Sequence, residues 1–276
     1  MKDNEKIKHS VISKGDIYEH LALEDYLFTH NISSLLLYTN APVVVIGKHQ
    51  NPWIETDPMI YPIARRQSGG GSVYHDEGNL NYSVILPKDQ YNREKIFQII
   101  KNALKSINIE TSISPNFSIF FKDKKVSGSA FRQNSRTVLH HGTLLVQTDL
   151  SVLKSALLSP YSYDDTISTK SNPSPVINLN DIHHDLSVTD VIQSVIKAFE
   201  KHYNLSESHD YEKIKFYYEF RKNLNKHRNP EWLFGGTLSY YHSLMNKSKK
   251  FVLNNTLWNN KHIILEDAYE KAGISQ

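Results

Sequence analysis

Apolar positions change their spacing several times along this chain, and each change marks an element. From Ile17 to His30 the apolar residues recur at a spacing that one helix can bury on a face. Ser34 to Gly47 holds two apolar runs, LLLY and VVVIG, broken by Thr39-Asn40-Ala41-Pro42, which reads as strand, turn, strand. Tyr61–Arg66 and Leu80–Leu86 read as further strands on either side of a glycine-rich corner. Ile96, Ile99, Ile100, Leu104 and Ile107 return to helical spacing and predict a helix from Asn92 to Ile107. Short strands are expected around Ser118–Phe121, Lys125–Ser129 and Val138–Gln147, and helices over Leu150–Leu158 and Ser187–Tyr203. The second of these helices opens with Ser187 and Asp190 three residues apart, a capping-box spacing.

Ser159 to Asp185 is rich in Ser, Pro and Asn and is expected to be a long exposed connection, either a loop beside the site or an ordinary surface loop. A helix around Tyr211–Leu224 and two strand-like pieces near Phe251 and His262 complete the pattern, with no internal repeat. The mixture predicts an α+β fold of antiparallel sheets with packed helices.

Composition narrows this picture. A chain of 276 residues suits a main domain of about 200 residues with a smaller appendage. The expected division is 1–204 and 205–276. Hydrophobic residues at 39% and charged residues at 22% indicate a folded core. A formal charge of +3 is too small to point to nucleic acid. No cysteine is present, which excludes disulfides, zinc–thiolate sites and a cysteine nucleophile. No apolar run approaches the roughly 20 residues a membrane span needs. Met1–Lys14 mixes lysines with Asp3 and Glu5, unlike a secretory signal or an Arg-rich mitochondrial presequence. The expectation is a cytoplasmic monomer that binds neither membrane nor nucleic acid. The mitochondrial matrix stands as the alternative location for a eukaryotic relative.

The most unusual segment runs from Arg65 to Asn79, RRQSGGGSVYHDEGN. Three consecutive glycines carry a conformational cost, yet they let the backbone approach a ligand and present N–H groups to an anion. Two arginines before them supply fixed charge suited to carboxylate or phosphate. The plain alternative is a flexible hairpin. The segment is no P-loop, because no Lys-Ser or Lys-Thr follows the glycines at the required spacing. It is no dinucleotide fingerprint either, since a strand follows and not a helix.

Lys124-Lys125-Val126-Ser127-Gly128-Ser129-Ala130 can project the Lys125 ammonium from a strand into a tight pocket, where it would neutralise developing negative charge. Lys122 and Lys124 read as solvated surface lysines. His140 and His141 are adjacent on a strand and point to opposite faces, so they are poorly placed to share a metal, and no metal site is expected.

Together these blocks resemble the lipoate–protein ligase A family, within the biotin/lipoate ligase fold. The matching stretches are IGKHQNPWIE from Ile46, ARRQSGGGSVYHDEGNLNYS, KKVSGSAFR and HHGTLLV, in the family's order and spacing. The resemblance is strong from about Ile46 to Val146 and weaker to about Tyr203. It implies that lipoate and ATP react, with Mg2+, to give lipoyl-AMP, whose carbonyl an acceptor lysine then attacks. Lys125 would be catalytic, contacting the carbonyl and phosphate of the intermediate. Arg66 would contact the adenylate region. Ser68, Gly69, Gly70, Gly71 and His75 would line the lipoyl pocket with Asn79 beside it, and the Asn51-Pro52-Trp53 turn would sit near its entrance. Asn116, Ser127, Gly128 and Thr143 would line the nucleotide side. The implied acceptors are lipoyl domains of 2-oxoacid dehydrogenase E2 subunits and the glycine-cleavage H protein.

The chain departs from the family pattern in two places. Phe117 stands where the family commonly has an aspartate after the asparagine matched by Asn116. After a Trp-x-x-Gly-like stretch at Glu231–Gly235, a short accessory segment is expected where the family usually has a longer domain. Both departures keep a second reading open, a lipoyltransferase that takes lipoyl from lipoyl-AMP or from a lipoylated protein. A non-catalytic binding protein is a further alternative, disfavoured by the intact Arg66, glycine, Lys125 and HHGT blocks. An octanoyltransferase is disfavoured by the missing cysteine, and a serine hydrolase by the lack of a Gly-x-Ser-x-Gly elbow. Biotin ligation is disfavoured because the glycine block and KxSGSA match the lipoate branch better.

Overall fold

A computed structural model describes residues 6–161, 167–208, 210–237 and 242. The pieces expected near Phe251 and His262 lie outside the described residues. The chain forms β1 (Lys6–Gly15), α1 (Ile17–Thr29), β2 (Ser34–Asn40), β3 (Val43–Ile46), α2 (Pro52–Glu55), β4 (Ile63–Arg65), β5 (Val73–His75) and β6 (Asn79–Pro87). It continues with α3 (Arg93–Ser106), β7 (Ser112–Ile113), β8 (Ile119–Phe121), β9 (Lys124–Ser127), β10 (Ser129–Gln133) and β11 (Thr137–Leu145). Then come α4 (Leu150–Ala156), α5 (Leu179–Ile182), α6 (Val188–Glu200), β12 (Asn204–Glu207), α7 (Tyr211–Ile214), α8 (Tyr218–Arg228) and α9 (Pro230–Phe234).

The expected α+β class holds. The main sheet has the order β10-β11-β6-β2-β1-β12, antiparallel from β10 through β2 and parallel where β1 meets β2 and β12. β4-β3-β5 and β7-β8-β9 form two smaller sheets. The run LLLY has no polar alternation because β2 is covered on both faces. Leu35 and Leu37 enter the core under α3 and α6, while Leu36 and Tyr38 face α1 and α8. Ser34–Asn40 and Val43–Ile46 are both strands as expected, but the turn between them does not close a hairpin. It carries the chain from the main sheet into the second one. Ile96, Phe97, Ile100, Ala103 and Leu104 of α3 are fully buried, each of the large ones contributing about 1.5–3 kcal/mol.

Three differences from the sequence reading have physical causes. β1, β5 and β12 were not expected. β1 and β12 are rich in polar residues, as strands with one wet face are, and β5 is only three residues long inside the glycine corner. The expected helix over 211–224 breaks at Tyr217, whose backbone is extended. Ile214 and Phe220 both enter the same core. Six residues apart, they would face different ways on one continuous helix, and the break lets both point inward. The connection 159–185 is not wholly exposed: its described part packs beside the glycine corner, with Lys125 N–H donating to Pro175 O at 2.8 Å.

Beyond residue 204, β12 pairs with β1, and Leu233 and Phe234 pack in the core around Trp53. Trp53 is fully buried, stacked on Phe234 and edge-on to Tyr161, and is a core residue and not an entrance residue. Among the described residues no helix is long and apolar enough to cross a membrane.

Candidate active site

A cavity of about 390 Å³ opens between the second sheet, the third sheet and the middle of the main sheet. One end is apolar: Ile17 and Leu21 of α1 meet Val45 of β3 and Val73 of β5, which are paired across the second sheet. The other end is polar, with Ser114, Asn116, Lys125, Gly128 and Thr143 on the third sheet and β11. Of the residues expected from sequence, Arg66, Gly71, His75, Asn116, Lys125, Gly128 and Thr143 line this one cavity. Ser68, Gly69, Gly70, Asn79 and Ser127 do not: Ser68, Asn79 and Ser127 are buried behind its wall, while Gly69 is half-buried and Gly70 exposed.

The glycine corner is built around Arg66. Its guanidinium donates to Ser68 Oγ (3.0 Å), Val45 O (3.1 Å), Gly69 O (2.7 Å) and Gly71 O (2.7 Å). Four of its five N–H hydrogens are thereby spent on shaping the loop, and one on Nη1 has no partner among the described residues. Burial pulls Arg66 down to about 10, which leaves it charged at neutral pH. The glycines are not equivalent. Gly70 has φ +90°, which side chains rarely adopt, whereas a Cβ on Gly71 would lie 2.9 Å from Ser171 Oγ. A Cβ on Gly69 would meet nothing within 4 Å. Ser171 belongs to the 167–177 segment and latches it down: its Oγ donates to Glu55 and accepts from the Ser72 N–H at 2.8 Å. Arg65 is structural, donating to the carbonyls of Gly47, Lys48, Gln50 and Leu233, so it ties α9 to the corner.

A buried polar layer begins at the cavity wall, which His141 and Tyr38 help line. His141 Nε2 is 2.6 Å from Ser68 Oγ, and its Nδ1 is 3.1 Å from Glu24 Oε2. Tyr38 and Ser83 also donate to Glu24. Burial alone would push the Glu24 carboxyl up, but His141 and these hydrogen bonds outweigh it and hold it below the ordinary range. His140 points the other way, into a cluster with Tyr82, Phe97 and Phe131, as adjacent residues on a strand must. Asn79 acts through its neighbour, donating to Asn81 Oδ1 at 3.1 Å, and Asn81 reaches the cavity.

At the polar end, Lys125 is half-buried, and burial lowers its pKa. No carboxylate lies within 4.0 Å of it among the described residues. Its ammonium lies over Gly128, where a Cβ would come within 3.2 Å of Nζ. Thr143 fixes Gly128 by two backbone contacts, Thr143 N–H to Gly128 O at 2.9 Å and Gly128 N–H to Thr143 Oγ1 at 3.3 Å. The Lys-x-Ser-Gly spacing and the downstream threonine are thus one local structure. Ser127 is buried beneath it.

Phe117 takes a left-handed backbone, φ 55°, and turns away from the cavity. Its ring packs on Phe97, with the Arg93 guanidinium 4.9 Å from its centroid. The cavity lining carries no carboxylate among the described residues, and no group of three acidic, His or Cys side chains that could hold a metal occurs among them. A magnesium ion would find no carboxylate here among the described residues, so its oxygens would come from phosphate, water and neutral side chains. His141, Asn81, Ser171 and Glu24 were not expected from sequence. The HHGT block held the first, but Glu24 lies in a helix whose burial all round hides any polar signal.

A family model described as the lipoyl protein ligase A/B catalytic domain matches residues 16–200. The lipoate-protein ligase A of Psychrobacter cryohalolentis is 36% identical over 242 residues, covering 82% of this chain and 71% of that protein. The mitochondrial lipoyl amidotransferase of Homo sapiens is 38% identical over 177 residues, 60% of this chain and 48% of that protein. Among solved structures, the P. falciparum LipL1 protein in complex with lipoate has a TM-score of 0.72 at 28% identity, covering 84% of this chain and 74% of that one. By its sequence and its fold, this chain belongs to the lipoyl protein ligase A/B catalytic-domain family.

Proposed function

We propose that this chain is a lipoate–protein ligase acting on lipoate, ATP and a lipoyl-domain lysine. The observation that carries the reading is the two-ended cavity, apolar where an acyl tail would lie and holding at the other end an ammonium, Lys125, with no carboxylate partner among the described residues. In the first step a carboxylate oxygen of lipoate attacks the α-phosphorus of ATP, and the bond to pyrophosphate breaks. Two anions must meet, and Lys125 lowers that repulsion and then holds the carbonyl and phosphate of the mixed anhydride. The remaining Nη1 donor of Arg66, which lines the same cavity, adds a second contact. In the second step the neutral amine of the acceptor lysine attacks the carbonyl and AMP leaves. The latched 167–177 segment covers the anhydride and keeps water from it. Magnesium bound to the nucleotide phosphates would supply further charge neutralisation, and no step here depends on a protein ligand for it.

A second reading, lipoyl transfer without ATP, is favoured by the turned-away Phe117 and by a lining without carboxylates among the described residues. The acceptors proposed are lipoyl domains of E2 subunits and the glycine-cleavage H protein, with the protein acting as a monomer. The test is mass spectrometry of an apo lipoyl domain incubated with the protein and lipoate, with and without ATP and magnesium. Lipoylation that requires ATP supports the ligase. No modification from free lipoate, but modification from preformed lipoyl-AMP, supports the transferase.

A further inference from the structure

Beside the apolar residues of the cavity stands His75, a polar side chain whose orientation is fixed from behind. His75 follows Val73 by two residues on β5, so both side chains face the cavity side of that strand, and His75 lines the wall. Its Nδ1 is 3.0 Å from Asn40 Nδ2, and Asn40 Oδ1 is 2.8 Å from His20 Nδ1. An amide NH2 only donates and an amide oxygen only accepts. With the Asn40 amide in this orientation, His75 Nδ1 is the bare nitrogen and the His75 proton sits on Nε2. The same logic puts the His20 proton on Nδ1. His20 in turn is seated by Gly15, where a Cβ would lie 2.3 Å from its ring, and by Tyr38 at a centroid distance of 4.4 Å.

His75 Nε2 is buried and has no hydrogen-bond partner among the described residues. A ligand acceptor brought to this atom would pair a donor that is costly to leave buried and unpaired. The charged and titratable groups facing His75 are Arg66, His141, Glu24 and His20; burial, then Arg66, hold His75 neutral, at about 3. A neutral N–H at the apolar end takes an uncharged acceptor. Of the tails an acyl-activating enzyme could meet, a saturated chain end would strand that N–H, whereas the sulfurs of a disulfide ring are weak acceptors.

On the lipoate-ligase reading above, we propose that His75, oriented by His20 and Asn40, is a specificity-determining donor that favours a dithiolane tail over an alkyl tail. Asn40 and His20 are positioning residues; only His75 meets the ligand.

Two measurements on the full chain test this. Histidine 15N spectra at pH 7 should show His75 protonated at Nε2 and bare at Nδ1. Calorimetric titration with lipoate and with octanoate should then give an octanoate-to-lipoate ratio of dissociation constants that falls about fivefold in both His75→Phe and Asn40→Leu, the size expected for one lost neutral hydrogen bond. A purely structural role would weaken both acids together and leave the ratio unchanged, and that result overturns the proposal, as does an Nδ1-protonated His75. If the native chain binds octanoate but not lipoate, or neither, the ligase reading itself fails and takes this proposal with it. If lipoate binds and the ratio is unmoved in the variants, only this proposal fails.

Discussion

Replacing Lys125 by alanine should separate catalysis from folding. The ammonium has no carboxylate within 4.0 Å among the described residues, so its removal breaks no ion pair. Burial lowers its pKa, which means the folded state binds its proton less tightly than the unfolded chain. Between the lowered folded value and the ordinary one, the unfolded chain holds more protons, so this group makes stability rise with pH in that window. At neutral pH its burial is therefore a cost. Alanine removes that cost along with some methylene packing over Gly128, and the net change in stability should stay within about 1 kcal/mol, or roughly 2–4 °C in melting temperature for a domain of this size.

The reaction should suffer far more. Losing one preorganised donor at developing charge costs about 3–4 kcal/mol, roughly 10²–10³ in rate. Single-turnover formation of lipoyl-AMP, followed beside a melting curve, measures both. Lys125→Arg should recover only part of the rate, because the planar guanidinium does not fit the space over Gly128. A rate loss below about tenfold, or one that tracks a lowered melting temperature, would refute the assignment.

Other expected outcomes follow from the same geometry. Gly71→Ala should displace Ser171 from Glu55 and weaken lipoate-dependent turnover at least tenfold, while Gly69→Ala should leave it within about twofold; equal effects would mean the latch is irrelevant. Glu24→Gln should destabilise the fold by about 3 kcal/mol by urea unfolding, since it breaks a buried pair with His141. Because the Glu24 pKa is depressed, its contribution is present above the ordinary carboxylate range and is lost as pH falls through the folded value, a limb the variant should lack. Burial lowers His20 to about 4 and His75 and His140 to about 3, so the unfolded chain takes up their protons first as pH falls below 6.5. Stability should therefore drop by about 4 kcal/mol per pH unit near pH 5, measured by denaturant titration, and a flat profile there would contradict the buried neutral assignments. Arg65→Leu strands four carbonyls and should lower stability by more than about 3 kcal/mol, with 218–234 becoming the first region to exchange amide hydrogens.

How much of this was legible in the sequence depended on whether the signal was local. The helix at Arg93–Ser106 is written in its apolar spacing and its Asn92 cap, and Val188–Glu200 in its capping box. The cavity residues Arg66, Gly71, His75, Lys125, Gly128 and Thr143 were found because their chemistry is concentrated in three short blocks. Glu24, Tyr38 and Asn40 were not, since nothing near them in sequence says that His141 and His75 will lie against them. The break at Tyr217 has the same origin: only the shared core of Ile214 and Phe220 demands it. Phe117 was read at the place of a missing carboxylate, and the sequence could not tell that its backbone turns the ring into the core.

The measurement that bears most directly on the central claim is pyrophosphate release from the purified chain with lipoate, magnesium and ATP and no acceptor present. A ligase should release about one pyrophosphate per active site, only when lipoate is added, and Lys125→Ala should abolish the burst. Absence of lipoate-dependent release from a protein that still transfers lipoyl from preformed lipoyl-AMP would contradict ATP activation and leave a transferase.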